Sequence, residues 1–220
     1  MMISIYQLSR FVLQCIAAGS MLIAGATLAQ TRVEAQKEEQ LLQQLCRAAA
    51  DVHSLQGRFV QTKSSKLLKE KVRSEGRMVY RQPAELRWEY IKPNDFTFVV
   101  KNDQVSVSNK GKARKLSKQQ AKIFKQMTQM MLGTITGELL KDARNFTTSF
   151  YEKDGNFSVY LEPKAKDMKK LFVRFVLELA PTLNMATAVE MHEKSGDTTR
   201  IEFDDVQLNQ AIDEKEFALE

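Results

Sequence analysis

The stretch GRMVYRQPAELRWEYIKPNDFTFVVKNDQVSVSN, residues 76–109, alternates apolar and polar side chains over most of its length. Leu86, Trp88 and Tyr90 fall on one face of an extended segment, and Phe96, Phe98 and Val100 on one face of the next. A period of two puts successive side chains on opposite sides of a strand, so these segments read as half-buried β structure. Strands are expected at 76–82, 85–91, 96–101 and 104–109. Pro83 and Pro93 stand at strand ends, where a missing N–H is tolerated. Asn102-Asp103 suits a tight turn between the last two.

The same reading extends in both directions. LQGRFVQ (55–61) precedes the block as a strand, followed by the basic, apolar-poor loop TKSSKLLKEK. SFYEKDGNFSVYLEP (149–163) is a hairpin signal centred on Asp154-Gly155. KLFVRFVLELAP (170–181), MATAVEMHE (185–193) and TTRIEFDDVQL (198–208) are further strands, the last two joined through Ser195-Gly196-Asp197. Two segments change the period to helical. One lies at about 35–54, where Leu41, Leu42, Leu45, Ala49 and Val52 recur on one face. The other starts at Ser117-Lys-Gln-Gln120, spaced like a capping box, and is closed by Gly133. Its apolar face is Ile123, Phe124, Met127, Met130, Met131 and Leu132. Roughly ten short antiparallel strands with two amphipathic helices define an α+β fold. The expected architecture is one strongly curved sheet or an incomplete barrel, with the two helices covering its concave face, either over a cavity or simply filling the space.

Composition narrows the function classes. The 220 residues are 43% hydrophobic and 27% charged, with formal charge +6, as expected for one ordinary domain. Two Cys and two His are too few for a disulfide framework or for a zinc site built on soft ligands. Residues 11–29 carry no charge, follow Arg10, and end in Thr27-Leu28-Ala29, the pattern of a secretory leader cleaved before Gln30. The expected organisation is therefore a leader over 1–29 and a single domain over 30–220. Cleavage leaves Cys46 as the one thiol, on the apolar face of the first helix, where a buried structural role is expected.

No enzyme is expected. The chain has no Gly-rich phosphate loop, no nucleophile elbow and no paired-His metal helix. His53 and His192 lie far apart in sequence, and Glu190, Glu193, Asp204 and Asp205 are the carboxylates from which a catalytic pair would come. Residues 104–137 contain no Asp or Glu but carry Lys110, Lys112, Arg114, Lys115, Lys118, Lys122 and Lys125. Export removes nucleic acid as a partner, leaving an acidic protein, an anionic lipid surface, or simple solvation of a helix face.

GRFVQ (57–61), the Pro83-to-Trp88 spacing and FTFVVKNDQVSV occur in an order that resembles the LolA family of periplasmic lipoprotein carriers. The end, TTRIEFDDVQLNQAIDEKEFAL (198–219), is similar to that family's last strand and terminal segment. The resemblance implies an incomplete, strongly curved antiparallel barrel with an amphipathic helical lid, whose apolar cavity shields lipoprotein acyl chains between the inner and outer membranes. It also implies an inner-membrane ABC transporter as donor and an outer-membrane acceptor, with a periplasmic location, no cofactor, and a monomer. The lining expected from it together with the strand faces is Phe59, Met78, Tyr80, Leu86, Trp88, Tyr90, Phe96 and Phe98 from the sheet. Ile123, Met127, Met130 and Met131 would complete it from the lid, Met being adaptable to irregular contacts. Family members often carry Arg immediately before the motif's Pro; here that position is Gln82, with Arg81 on the opposite strand face, so no latch role is assigned to either. Two alternatives remain: a carrier of another lipid or a polyketide or pigment precursor, and a non-transporting lipoprotein-binding sensor of the RseB type. N-terminal sequencing of the exported protein should give Gln30 as the first residue; an intact Met1 would contradict the leader assignment.

Overall fold

The computed structural model describes residues 30–66, 71–102, 104–113, 116, 133 and 138–219. Its strands are β1 (Thr31–Arg32), β2 (Ser54–Ser64), β3 (Lys71–Arg81), β4 (Glu85–Lys92), β5 (Phe96–Lys101) and β6 (Gln104–Asn109). They continue as β7 (Lys112–Ala113), β8 (Phe146–Lys153), β9 (Asn156–Pro163), β10 (Phe172–Leu179), β11 (Ala186–Glu193) and β12 (Thr198–Leu208). All twelve form one curved sheet in the order β1-β8-β9-β10-β11-β12-β2-β3-β4-β5-β6-β7, which stays unclosed among the described residues. Helices are few: α1 (Ala35–Ala50), the single turn α2 (Glu138–Lys141), α3 (Lys166–Leu171), and a 3₁₀ turn at Glu214–Phe217.

Local chemistry explains the turns. Asp154 and Gly155 both have positive φ (53° and 77°), the backbone that a two-residue hairpin between right-twisted strands requires. Lys110 (φ 51°) and Gly111 (φ 67°) repeat it between β6 and β7. Because neighbouring strands are antiparallel throughout, the starts of β3, β5, β8, β10 and β12 gather at one end of the half-barrel. The ends of β2, β4, β6, β9 and β11 join them there. That end is called the rim below.

The concave face carries the core in two adjoining parts. Over β8–β10, α1 presents Leu41, Leu45 and Cys46 to Phe150, Val159, Leu161, Phe175 and Leu177, all buried. The Glu38 carboxylate accepts the Phe150 N–H at 3.1 Å, and Lys37 pairs with Glu152 at 2.7 Å, fixing α1 to β8. Over β12 and β2–β6 lie Leu55, Phe59, Met78, Tyr80, Leu86, Trp88, Phe98, Val100 and Val107. Met191 packs against both parts.

Several expectations are met closely, and some are corrected. β5, β6 and β12 have the expected bounds, and α1 ends at Ala50 rather than 54. The loop read at 62–71 is shorter, because β2 and β3 pair as far as Ser64 and Lys71. Polar side chains at that end alternate on a sheet extending past the apolar core, so hydropathy hides them. The helix α3 was not foreseen; its six residues bury none of their side chains and leave no apolar stripe to read. Gly133, expected to close the second helical segment, itself has helical backbone. The lid expected at about 118–132, with Ile123, Met127, Met130 and Met131, lies outside the described residues.

On the convex face the C-terminal segment forms a strap. Phe217, fully buried, packs with Val79, Val99 and Ile212. Arg77 bridges Glu89 (2.7 Å) and Glu216 (3.0 Å), and Arg87 shares Glu89 at 3.0 Å. Arg81 pairs with Glu85 and Glu214, both at 2.5 Å, and lies over the Phe217 ring. Arg81 thus faces away from the concave side and serves the strap, as its strand parity required. The Lys101 ammonium, with the Arg81 guanidinium, holds the Glu214 carboxyl down at about 2 from an ordinary 4.5. A depressed carboxyl stabilises the fold above pH 4.5, and this contribution is lost as pH falls towards 2. Glu214→Gln should therefore lower the urea midpoint at pH 6 and match the wild type near pH 2. A pH-independent difference would show that the strap does not work through this charge.

Candidate apolar-ligand face

Strand pairing stacks the inward side chains of β2–β6 into three cross-strand rows. The row furthest from the rim is Leu55–Tyr80–Leu86–Val100–Val105. The middle row is Gly57–Met78–Trp88–Phe98–Val107. The row nearest the rim is Phe203–Phe59–Gly76–Tyr90–Phe96. The eight sheet residues singled out from the sequence thus share one concave face. Six of them (Phe59, Met78, Tyr80, Leu86, Trp88, Phe98) are buried, while Tyr90 and Phe96 are half-buried.

Two of these rows contain a glycine, and one glycine sets the geometry. A Cβ on Gly76 would sit 2.1 Å from the Glu89 carbonyl oxygen and 2.3 Å from Phe59 Cζ. The Phe59 ring therefore lies on the bare backbone of Gly76, in the space a side chain would take. From there it stacks on Trp88 (centroids 4.0 Å apart, planes 24°) and meets Tyr90 edge-on at 5.3 Å. Trp88 stacks in turn with Phe98 at 6.5 Å, and Tyr90 lies 6.2 Å from Phe96. The result is a continuous aromatic surface running across β2, β4 and β5.

Apart from the Tyr80 hydroxyl in the far row and the Trp88 indole N–H in the middle row, polarity on this face lies towards the rim. The Tyr90 hydroxyl donates to Gln61 Oε1 at 2.9 Å, and burial pushes its phenol up, so it stays neutral at all ordinary pH. Phe203, Tyr90 and Phe96 keep partial exposure, so the aromatic face meets solvent at the rim. Two surface clefts lie elsewhere. One of 220 Å³ lies between Arg58, Arg77 and Gln207. One of 360 Å³ lies beside β10, between Lys169, Val173 and Lys194.

The residues weighed for chemistry are dispersed. His53 Nδ1 lies 3.1 Å from Gln82 Oε1, whereas His192 Nε2 pairs with Glu190 at 2.8 Å. Glu190 is also 3.6 Å from Arg200, Glu193 pairs with Lys63, and Asp204 and Asp205 both take Arg58. These four carboxylates are held by cations rather than aimed at a common point. Cys46 is buried on α1, and desolvation pushes its thiol up despite the opposing charge of Lys141. An undissociated thiol is a packing group, not a nucleophile. Among the described residues no group of three or more His, Cys, Asp and Glu could hold a metal ion.

A curved, unclosed sheet with one aromatic inner face offers a large apolar contact area. The chain belongs to the family of the outer membrane lipoprotein carrier protein LolA, whose model matches residues 50–220. No curated protein matches in sequence. Among solved structures, MucB is similar at 13% identity and TM-score 0.51, with 84% of this chain and 63% of that one covered. The Pseudomonas aeruginosa MucA/MucB complex gives 14%, 0.49, and 82% against 60%. A LolA superfamily protein from Nitrosomonas europaea gives 10%, 0.43, and 82% against 97%. At such identities the likeness is one of fold, and the chain spans less than two thirds of the MucB chains.

What the sequence reading missed is the role of Gly76. An isolated glycine inside an alternating strand was the available signal, since it marks close approach by another group. Gly76→Ala should destabilise the fold by about 1–3 kcal/mol through overpacking. Gly57→Ala, whose Cβ would meet its nearest atoms at 3.1 Å, should cost less. Equal urea midpoints for the two variants would show that the ring-on-glycine contact does not set the geometry.

Proposed function

We propose that the protein is a periplasmic carrier that holds the acyl chains of lipoproteins against the concave aromatic face. The observation carrying this reading is that face itself, a stacked surface on Phe59, Trp88 and Phe98 in a chain of the LolA family. Each exposed CH₂ of an acyl chain costs about 0.8 kcal/mol in water, so a lipidated protein crosses an aqueous space only with its chains covered. An aromatic wall suits this task because it offers large contact area without demanding hydrogen bonds from the ligand. Release requires that the wall grip by area, and the Tyr90–Gln61 hydrogen bond stands at its open side. In this reading the partners are an inner-membrane ABC transporter as donor and an outer-membrane acceptor, and the chain acts without chemistry of its own. The segment of Ile123, Met127, Met130 and Met131 would close over the bound chains.

Trp88 is the only tryptophan, so its emission reports on this face alone. A fatty acid brominated along its tail should quench Trp88 saturably, and the unbrominated acid should compete the quenching away. Saturable binding of the brominated acid without quenching would place the ligand elsewhere, and no binding at all would refute carriage of acyl chains.

A further inference from the structure

Five large hydrophobic side chains are well exposed among the described residues: Val72, Ile91, Leu171, Val173 and Leu219. Single exposed apolar residues are ordinary, but grouped ones mark contact sites. Four of these five stand at the rim. Val72 belongs to the first residues of β3 and Ile91 to the last of β4, while Leu171 and Val173 flank the start of β10. Leu171, the last residue of α3, is 62% exposed, and Ile91, near the end of β4, is 54% exposed.

Cations surround these apolar points. The segment 164–174, KAKDMKKLFVR, has five basic residues against one carboxylate, Asp167, which pairs with Lys170 at 2.9 Å. The Lys194 N–H donates to the Leu171 carbonyl, bringing a further lysine beside it. The 360 Å³ groove there has Lys164, Lys169 and Lys194 on its walls with Phe172 and Val173, and Glu162 as its carboxylate. Lys164 also donates to the Ala143 carbonyl at 2.8 Å. Near Val72 and Ile91, Glu75 takes both Arg73 (3.2 Å) and Lys92 (3.5 Å), and Lys71 adds a further positive charge.

Protruding apolar side chains ringed by lysines match a surface that is anionic outside and apolar just beneath. An acidic protein would answer the lysines but would leave the two exposed apolar pairs, Val72 with Ile91 and Leu171 with Val173, unmatched. We infer that the rim docks on a bilayer rich in anionic phospholipid, with Leu171 and Val173 reaching below the headgroups and the lysines of α3 on the phosphates. The half-buried row Phe203–Tyr90–Phe96 opens at the same end, so docking turns the mouth of the aromatic face towards the membrane. This orientation does not depend on which acylated cargo the face holds.

Flotation of the purified mature protein with phosphatidylglycerol/phosphatidylethanolamine vesicles tests it. The wild type should float with these vesicles, stay behind with phosphatidylcholine alone, and detach in about 0.5 M salt. Leu171→Ser with Val173→Ser, and Lys166→Glu with Lys169→Glu and Lys170→Glu, should each lower the bound fraction at least tenfold. Leu219→Ser, at an exposed site in the C-terminal segment, should not change it. All five substituted rim side chains are solvent-facing, and unchanged urea midpoints would confirm folding. Both rim variants should still show brominated fatty acid quenching of Trp88, which separates failure to dock from failure to carry. No flotation of the wild type, equal binding to neutral vesicles, or folded rim variants that bind as well as wild type would overturn the inference.

Discussion

The aromatic part of the concave side depends on one contact, the Phe59 ring resting on the backbone of Gly76. Flat β pairing would leave a hole there, since Gly76 is flanked across the sheet by Phe59 and Tyr90. The ring fills the hole and so comes within stacking distance of Trp88, which lies on the adjacent row. Aromatic stacks of this kind add about 0.5–1.5 kcal/mol beyond the area they bury, and they fix relative orientation as well. Phe98, Tyr90 and Phe96 then extend the surface from strand to strand. The opposite face of the same strands is held by other means. Arginine–carboxylate pairs and Phe217 tie the terminal strap over Val79 and Val99. The half-barrel is therefore aromatic inside and cross-braced by charge outside.

That division also explains which parts of the structure were legible in the sequence. β5, β6 and β12 could be bounded to the residue because turn residues stand on both sides, although a bulge between Asp204 and Gln207 breaks the alternation of β12. The inward set on β2–β5 came from strand parity together with the family resemblance, parity alone placing Leu86, Trp88 and Tyr90 on one face and Phe96 and Phe98 on one face. The polar extensions of β2 and β3 were read as a loop because their alternation is between solvated and half-solvated side chains. Long-range pairs were invisible for a different reason. Arg81 meets Glu214 across 133 positions and Arg77 meets Glu216 across 139, and spacing carries no information at such separations. For Gly76 the residue was in plain view, but only the fold shows whose ring needs its space.

The chemistry follows from what these faces offer. Carboxylates that sequence alone leaves open for catalysis are each paired with a cation, and the one thiol of the described chain is buried and undissociated. What remains unused by such pairing is apolar: the stacked inner face, and the exposed tips at the rim into which that face opens. A carrier needs both properties, a surface that holds hydrocarbon by area and an exit directed at the place of transfer. The lysines of α3 supply direction through charge, which acts at longer range than apolar contact and weakens with salt.

Native mass spectrometry of the protein isolated from its own host, without detergent, tests the carrier account at its root. The account predicts a population heavier than the bare mature chain by an acylated molecule, which dissociates on collisional activation to return the chain and the lipid-bearing species. Recovery of the bare chain alone, from cells in which its lipidated cargo is being made, would contradict it.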